Sequence, residues 1–244
     1  MKRIRTGRVS KLKRRGTQGL TRGEEALCEQ QGFNLIAGID EVGRGCLAGP
    51  VVAAAVIMDR KKTPGWARQV RDSKMLTLEQ RLKLIPLIYE SALSIGTGVV
   101  DPGVIDSHGM TYAVREAMRL AVEKLQPQPG YLLIDYTTIP DSPLPQKGVK
   151  DGDTLCFSIA CASIVAKVYR DNLMRDLDRV FPGYGFVHNK GYGTRDHVVS
   201  LRKMGPCPLH RRLFGPVKNL AQLSLDDMLT LSRELEERET QVDG

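Results

Sequence analysis

The apolar run at residues 50–58, with the sequence PVVAAAVIM, constrains the fold more than any other feature of the chain. It is rich in β-branched side chains and contains no charged residue. A run of this length and composition predicts a β-strand covered on both faces, as in sheets that carry helices on either side. The chain is therefore expected to build an α/β domain.

The rest of the pattern extends this sheet and supplies helices to cover it. Further strands are predicted at residues 34–40, 91–100 and 131–135. Helices are predicted at residues 24–31, 78–89, 104–125, 153–180 and 196–203, and loops at residues 137–148 and 181–194. Long helical connections favour parallel pairing for the last strand, so a sheet of mixed direction is expected.

The helix predicted at residues 78–89 has a defined start and a weak point. Thr77 and Gln80 have the spacing of a capping box, in which each side chain satisfies an amide of the other residue. Pro86 lies inside the same helix and is expected to bend or break it, because proline has no amide hydrogen to donate.

Positive charge is concentrated at the N-terminus. The net charge is +8, and residues 1–16 alone contain eight Lys and Arg residues and no acid. We interpret residues 1–20 as a disordered basic arm that also contacts phosphate backbone, with a transit peptide as the alternative. Residues 21–218 carry the periodic structure of the folded domain, and residues 219–244 are predicted to form an acidic helical tail.

Cysteine usage and hydropathy indicate where the protein works. The five cysteines are odd in number and form no CxxC pair, which indicates free thiols and a cytoplasmic location. Cys207 and His210 have the spacing of zinc ligands, but the sequence offers no second pair to complete a zinc site. No apolar stretch approaches the roughly 18 residues of a membrane span, and no signal peptide is visible.

Acidic residues at two strand ends are the first candidates for chemistry. Asp40 and Glu41 follow the apolar strand in the segment GIDEVGRGCLAGP, and Asp135 ends the strand YLLID. Ligands of open α/β sheets bind at the carboxyl ends of strands, where these side chains can converge. The alternative is an ordinary acidic turn at each strand end.

The helix SIACASIVAKVYRDNLM supplies a further acid. Lys167 and Asp171 are four residues apart and share one face, which fits either a surface ion pair or a fourth carboxylate directed at the strand ends. Four carboxylates without a His or Cys cluster favour the hard cations Mg²⁺ or Mn²⁺. Two such ions suit phosphodiester hydrolysis, because one prepares the attacking water and the other stabilises the leaving oxygen.

Two short segments suit contact with a phosphate or sugar. Gly43 and Gly45 flank Arg44, so a ligand can approach the backbone closely. Ser73 and Lys74 offer hydroxyl and amine donors near a helix start, where phosphates bind well and where a helix cap is the alternative.

The segment FPGYGFVHNKGYGT is the candidate for stacking on a nucleotide. Its aromatic side chains are separated by glycines, and Lys190 and His188 add donors for phosphate. Aromatic side chains that line a core are the alternative. The chain lacks the GxSxG, P-loop and dinucleotide-binding motifs, so it offers no sign of a serine nucleophile or a nucleotide cofactor.

Together these segments resemble the ribonuclease HII family. The resemblance rests on GIDEVGRGCLAGPVVAAAV, DSK, LLID, SIACASIVAKVYRDNLM, NKGYGT and GPCPLHRRLF, in the family's order over residues 34–216. It implies an RNase H-like fold with a mixed five-stranded sheet flanked by helices, plus a C-terminal helical extension. It also implies metal-dependent cleavage of the RNA strand of RNA–DNA hybrids and incision at single ribonucleotides in duplex DNA, leaving 3′-hydroxyl and 5′-phosphate ends.

The resemblance also implies roles for individual residues. The metal-binding carboxylates are expected to be Asp40, Glu41, Asp135 and, as the fourth, Asp171. The substrate contacts are expected to be Gly43, Arg44, Gly45, Ser73, Lys74, Lys167 and Tyr192. Within this set, residues 43–45 are implied to read the junction between ribose and deoxyribose, and Tyr192 is implied to stack on the substrate.

The chain departs from the family's pattern at two places beside the predicted site. Tyr136 follows Asp135 where the family usually has glycine. The sequence KDGD at residues 150–153 is one residue longer than the usual KGD.

Two further functional classes stay open at this point. A non-catalytic nucleic-acid-binding protein that keeps the fold would lack metal-dependent nicking. A nuclease of the same fold that acts on DNA junctions would cut an all-DNA control as well as a duplex with one ribonucleotide. For the ribonuclease hypothesis we expect a monomer whose partners are RNA–DNA hybrid and ribonucleotide-containing duplex DNA and not a membrane.

Overall fold

The structure is a computed structural model that describes residues 22–59, 61, 65–70 and 76–242. The basic arm predicted at residues 1–20 and the predicted substrate contacts Ser73 and Lys74 lie outside the described residues. Among the residues described, no helix is both long and apolar enough to cross a membrane.

A five-stranded sheet forms the centre of the fold, with the strand order β3-β2-β1-β4-β5. The strands are β1 (Ile36–Val42), β2 (Val51–Met58), β3 (Ala92–Val100), β4 (Tyr131–Asp135) and β5 (Gln146–Val149). β1 and β2 are antiparallel, as are β2 and β3, whereas β4 is parallel to both β1 and β5. The predictions of a mixed sheet and of a parallel strand at residues 131–135 are confirmed.

Helices cover both faces of the sheet. Among the described residues they are α1 (Gly23–Gln30), α2 (Leu78–Ser91), α3 (Pro102–His108), α4 (Met110–Glu123), α5 (Gly152–Leu155), α6 (Phe157–Val180), α7 (Phe186–Asn189), α8 (Arg195–Met204), α9 (Gly215–Lys218) and α10 (Leu225–Val242). A short 3-10 turn lies at Gly65–Gln69. The main coverage comes from α4 on one face and α6 on the other.

Strand β2 is buried on both faces, as its apolar run predicts. Its odd-numbered residues, such as Ala53, pack against α4 side chains that include Met118. Its even-numbered residues, such as Val56, pack against α6 side chains that include Ile164. Because side chains alternate along a strand, one apolar run serves two cores.

Gly38 brings α6 directly onto β1. A Cβ atom at Gly38 would lie 2.2 Å from the carbonyl carbon of Ser158, so no larger residue fits there. Asp40 lies two residues further along β1 and therefore faces the same side of the sheet as Gly38. The close approach thus places the Asp40 carboxylate beside α6.

The prediction of a loop at residues 137–148 is wrong at its end, because β5 begins at Gln146. This strand has the sequence QKGV and only one buried residue, Val149, so it has no apolar run from which a strand could be predicted. It forms because its backbone pairs in parallel with β4. The fold therefore gains an edge strand that local sequence pattern does not reveal.

Three other predicted elements, two helices and a loop, also need correction. The helix predicted at residues 104–125 is two helices, because Gly109 adopts a φ of +86° between α3 and α4. The helix predicted at residues 153–180 is interrupted by the extended residue Cys156. The loop predicted at residues 181–194 contains the short helix α7.

Helix α2 begins as predicted and continues past its proline. The Gln80 amide donates to Thr77 Oγ1 at 3.2 Å, and the Thr77 amide donates to Gln80 Oε1 at 2.8 Å, which confirms the capping box. Pro86 lies inside the helix, which continues to Ser91, so the proline does not break the helix. Pro86 is exposed, and water can therefore satisfy the backbone carbonyl that the proline leaves without a donor.

Candidate active site

The carboxyl ends of β1 and β4 bring three predicted carboxylates to one edge of the sheet. β1 and β4 are parallel, with Ile39 paired to Ile134, so the residues that follow this pair are neighbours. Asp40 and Asp135 are 6% and 5% exposed. The Glu41 amide donates to Asp40 Oδ1 at 2.7 Å, which fixes the orientation of this carboxylate.

A fourth carboxylate, Asp153, lies close to this group. It belongs to α5, which follows the carboxyl end of β5, and it is 6% exposed. The amide of the preceding residue, Gly152, donates to Asp135 Oδ1 at 2.7 Å, and a Cβ atom at Gly152 would lie 2.9 Å from that oxygen. The turn between β5 and α5 therefore holds Asp153 beside the end of β4.

The electrostatics of Asp40 identify its neighbours. Burial raises the pKa of Asp40 well above its usual range, and the charges of Asp135, Glu41 and Asp153 raise it further, while a hydrogen bond with Ser163 of α6 opposes the rise. Carboxylates that repel one another in this way share a site that favours either a proton or a cation. The sequence pattern did not predict Asp153 as a site residue. It showed only that the KDGD segment, which ends at Asp153, is one residue longer than the family's usual KGD.

The structure places Asp171, the predicted fourth carboxylate, further along α6. Its Oδ1 atom accepts from Lys167 Nζ at 2.9 Å, and the Asp171 side chain is buried. Burial lowers the pKa of Lys190, and the negative charge of Asp171 raises it. Asp171 therefore lies close enough to interact with the loop that carries Lys190. The principal charges that act on Asp40 do not include Asp171.

One carboxylate of this group, Glu41, forms an ion pair with a cationic side chain. Arg44 Nη1 donates to Glu41 Oε1 at 2.8 Å, in a pair whose side chains are 20% and 7% exposed. Within the described part of the chain, no three His, Cys, Asp or Glu side chains are grouped closely enough to form a ready metal site. A cation that bound Glu41 would therefore compete with Arg44 for the same oxygen.

Residues 43–45 form a buried turn from which only the Arg44 side chain reaches the surface. Gly43 has a φ of +96°, and a Cβ atom there would lie 2.3 Å from Arg170 Nε. Both the backbone conformation and the space therefore require glycine at this position. The structure brings this turn next to Glu41, as the sequence order demands.

Tyr192 is the partly exposed tyrosine of the aromatic loop. Its ring centroid lies 5.6 Å from Lys167 Nζ and 5.9 Å from Arg170 Cζ, so two cations of α6 flank the ring. Tyr184, the other tyrosine of the loop, is buried, stacks on Phe186 at 5.4 Å and donates its hydroxyl to the Gly205 carbonyl at 2.8 Å. Of these two rings, only that of Tyr192 is available to a ligand.

Helix α6 joins the carboxylates to the aromatic loop. Ser163, Lys167 and Asp171 follow one another at intervals of four residues and so share one face of the helix. This face begins beside Asp40 and ends beside Tyr192 and Lys190. One face of α6 therefore connects acidic groups, cations and an aromatic ring.

Comparisons with known proteins show the family and the fold of the chain. The family model described as Ribonuclease HII matches residues 37–217. A ribonuclease HII from Dehalococcoides mccartyi is 55% identical over 200 residues, which cover 82% of this chain and 94% of the relative.

Two solved structures share the fold. The structure of the PCNA:RNase HII complex from Archaeoglobus fulgidus matches with a TM-score of 0.61 and 27% identity, over 79% of this chain and 99% of that one. The ribonuclease H2 from Pyrococcus horikoshii matches with a TM-score of 0.63 and 22% identity, over 84% of this chain and 100% of that one. The RNase H-like fold expected from the sequence is confirmed.

Proposed function

Since the chain belongs to the ribonuclease HII family, and is thus a ribonuclease H-type endonuclease that depends on divalent metal, we propose a specific activity for it. It cleaves the RNA strand of RNA–DNA hybrids and incises duplex DNA at single embedded ribonucleotides. The products carry 3′-hydroxyl and 5′-phosphate ends. The observation that carries the proposal is the buried carboxylate group around Asp40, beside a partly exposed tyrosine and its flanking cations.

The donor set fits Mg²⁺ or Mn²⁺. It consists of carboxylate oxygens, and the raised pKa of Asp40 reflects burial and repulsion that a cation would relieve. We propose that Asp40, Glu41, Asp135 and Asp153 hold two ions when substrate is present. Bound there, the ions would activate water for attack and stabilise the leaving oxygen.

Asp153 is favoured over Asp171 for the fourth position by two observations. The charge of Asp153 acts on Asp40, whereas Asp171 is paired with Lys167 on the part of α6 that faces the aromatic loop. We propose that the pair of Lys167 and Asp171 instead contributes to the binding of substrate. In that position Lys167 can contact a phosphate while Asp171 fixes its direction.

The remaining residues give the site its selectivity. The backbone of residues 43–45 can bond the 2′-hydroxyl of a ribonucleotide, which is the group that distinguishes RNA from DNA. The Tyr192 ring stacks on the adjoining sugar, and Ser73 and Lys74 add contacts to phosphate. Arg44 can exchange its bond with Glu41 for a substrate phosphate.

A nicking assay tests the proposal. The substrates are a duplex with one ribonucleotide, a continuous RNA–DNA hybrid and an all-DNA control, each with Mg²⁺, with Mn²⁺ and with EDTA. Metal-dependent incision of the first two and not of the third is expected. Binding without incision would favour the non-catalytic alternative, and incision of the all-DNA control would favour a junction nuclease.

We also propose that the enzyme acts in the cytoplasm as a monomer. Its five cysteines, Cys28, Cys46, Cys156, Cys161 and Cys207, are buried free thiols, which is compatible with a reducing environment. Sedimentation of the purified chain tests the predicted oligomeric state.

A further inference from the structure

Residues 207–211, which we call the 207–211 segment, are hydrogen-bonded into the loop that follows β1. His210 forms an isolated antiparallel bridge with Ala48. The Gly49 amide donates to the Leu209 carbonyl at 2.8 Å, and the Arg211 amide donates to the Leu47 carbonyl at 2.9 Å. The same loop reaches the aromatic loop, because the Leu47 amide donates to the Gly191 carbonyl at 2.8 Å. Three distant pieces of chain are therefore joined through their backbones.

The Arg211 side chain holds the turn at residues 43–45. It is fully buried, and its guanidinium donates to the carbonyls of Gly43 at 2.5 Å, Arg44 at 2.6 Å and Gly49 at 2.9 Å. In a trans peptide the amide hydrogen points opposite to the carbonyl of the same unit. By drawing the carbonyls of Gly43 and Arg44 inward, Arg211 turns the amides of Arg44 and Gly45 away from itself, toward the opposite side of the turn.

A pair of buried histidines connects the 207–211 segment to Tyr192. The Cys207 amide donates to His210 Nδ1 at 3.0 Å, so this nitrogen carries no proton and the proton of the neutral ring is on Nε2. His210 Nε2 lies 3.1 Å from His197 Nε2, which must then accept. His197 therefore carries its proton on Nδ1 and donates to the Tyr192 carbonyl at 2.7 Å. All three contacts are satisfied by one set of tautomers.

We propose that Arg211, His210 and His197 are positioning residues that fix the distance between the turn at residues 43–45 and Tyr192, and thereby set the selectivity for ribonucleotides. This inference rests on the proposed function, because those two elements are the parts that would read the ribose. None of the three side chains needs to touch the substrate. Arg211 acts through the backbone of Gly43 and Arg44, and the histidine pair acts through the Tyr192 carbonyl.

The first test compares selectivity in single and double variants. His210→Phe keeps an aromatic ring in the same packing and removes both ring nitrogens. We expect kcat/KM on a duplex with one ribonucleotide to fall about 3- to 30-fold, with a smaller loss on a continuous hybrid. In a Tyr192→Ala background the same change should alter the ratio of the two activities by less than about twofold, because the coupled partner is absent.

One further variant, Arg211→Lys, and two controls, His108→Phe and Arg202→Lys, accompany this test. His108→Phe, at an exposed histidine of α3, should leave the ratio unchanged. Arg211→Lys keeps the charge but cannot span the same carbonyls, and it should lower activity on the single-ribonucleotide duplex more than on the hybrid. Arg202→Lys, at an arginine that donates to the Leu223 carbonyl at 3.0 Å on the surface, should change neither activity.

Equal losses on both substrates would overturn the proposal, because they would indicate a purely structural role. An undiminished effect of His210→Phe in the Tyr192→Ala background would overturn it as well.

The second test needs no variant and no activity. Nitrogen-15 NMR of the unmodified protein reports which ring nitrogen of each histidine is protonated. We expect a proton on Nε2 of His210 and on Nδ1 of His197, and any other tautomer for either ring would overturn the proposal. If the protein showed no nicking at all, the proposed function would fail, whereas this measurement would still decide whether the histidine link exists.

Discussion

Asp40 lies buried at the end of β1, where the charges of Asp135, Glu41 and Asp153 meet. The surroundings of each carboxylate, and not its chemical identity, distinguish the proposed metal ligands from an acid that pairs with a side chain. Asp171 has the same chemical group, but its partner at 2.9 Å is Lys167. The two aspartates can therefore be separated by an identical substitution at each position.

Asp153→Asn should abolish most activity, whereas Asp171→Asn should reduce it only modestly. The first change removes a charge from the proposed metal site and should cost more than about 100-fold in cleavage rate, above the usual cost of losing a supporting partner. The second removes a partner of Lys167 and should cost about tenfold or less. Single-turnover cleavage of a duplex with one ribonucleotide measures both.

Circular dichroism controls for folding in both variants. Asp153→Asn should be at least as stable as the natural chain without metal, because one repulsive charge is gone. If Asp171→Asn were the more damaging change, Asp171 would take the fourth position in the site, as the family resemblance implies.

Tyr136→Gly should raise the free energy of unfolding by about 0.5–1 kcal/mol. Tyr136 has a φ of +56°, a left-handed conformation that glycine adopts without steric cost, and its side chain is half exposed, so little packing is lost. Urea denaturation measures the change. Tyr136→Ala also removes the ring but keeps Cβ, and equal stability of the two variants would show that the relief of strain does not exceed the larger unfolded-state entropy of glycine.

The residues of the site could be predicted only where the pattern was local. Asp40, Glu41 and Asp135 stand at the ends of apolar strands, so their convergence follows from strand geometry. The burial of Asp153 depends on β5, a strand with no apolar run, and on the Gly152 amide that contacts Asp135. The spacing of residues within KDGD does not predict that contact.

Among the elements, the helices and strands with strong periodicity were predicted and the interruptions were not. The apolar run of β2 and the capping box of α2 specify their own structure. The break at Cys156 depends instead on how α5 and α6 pack on β4 and β1. Such breaks are caused by tertiary contacts, which cannot be predicted from local helix propensity.

Helix α1 secures the start of α6 through one side chain. Glu25 is buried, and its Oε1 atom accepts from the Ser158 amide at 2.9 Å and from Ser158 Oγ at 2.8 Å. The Ser158 amide lies in the first turn of α6, where no carbonyl of the same helix is available to it. A residue from a separate helix therefore supplies the cap.

Glu25→Ala should lower the free energy of unfolding by about 1–3 kcal/mol, because it leaves a buried amide of α6 without an acceptor. Glu25→Gln keeps an accepting oxygen and should recover most of that loss. Gln30→Ala, at an exposed position on α1, serves as the control for the helix itself. Equal effects of Glu25→Ala and Gln30→Ala in urea denaturation would argue against the cap.

For the molecule as a whole, the buried histidine pair should make stability fall in acid. Burial lowers the pKa of His197, and burial together with the charge of His197 lowers the pKa of His210 to about 3. An unfolded histidine binds a proton near pH 6.5, so the unfolded state binds more protons between about pH 6.5 and 3. The contribution of the pair is complete above pH 6.5 and is lost progressively as the pH falls through this range.

Urea denaturation between pH 7 and 4.5 tests this expectation in the natural chain and in His210→Phe. The other groups that face the pair are Cys207, Arg212 and the Tyr184 ring, and they are the same in both proteins. The difference between the two curves therefore isolates the contribution of His210 and of its contact with His197. Parallel curves over the whole range would contradict it.

Deleting residues 1–16 should weaken binding to an RNA–DNA hybrid mainly at low salt. The segment contains eight cationic residues, and each contact with phosphate makes the slope of log K against log salt more negative by about 0.9. Binding titrations at several salt concentrations measure the slope, and turnover at saturating substrate should hardly change. An unchanged slope would mean that the arm does not contact the backbone of the nucleic acid.

The late position of the 207–211 segment in the chain has a consequence for protein synthesis. Asp135 and Asp153 are both translated well before Arg211 and His210, which align the turn at residues 43–45 and Tyr192. Because a chain emerges from the ribosome N-terminus first, the proposed metal-binding carboxylates are synthesised before the contacts that we propose to set selectivity. A nascent or truncated chain that stops short of residue 207 would contain the proposed metal-binding carboxylates but neither His210 nor Arg211.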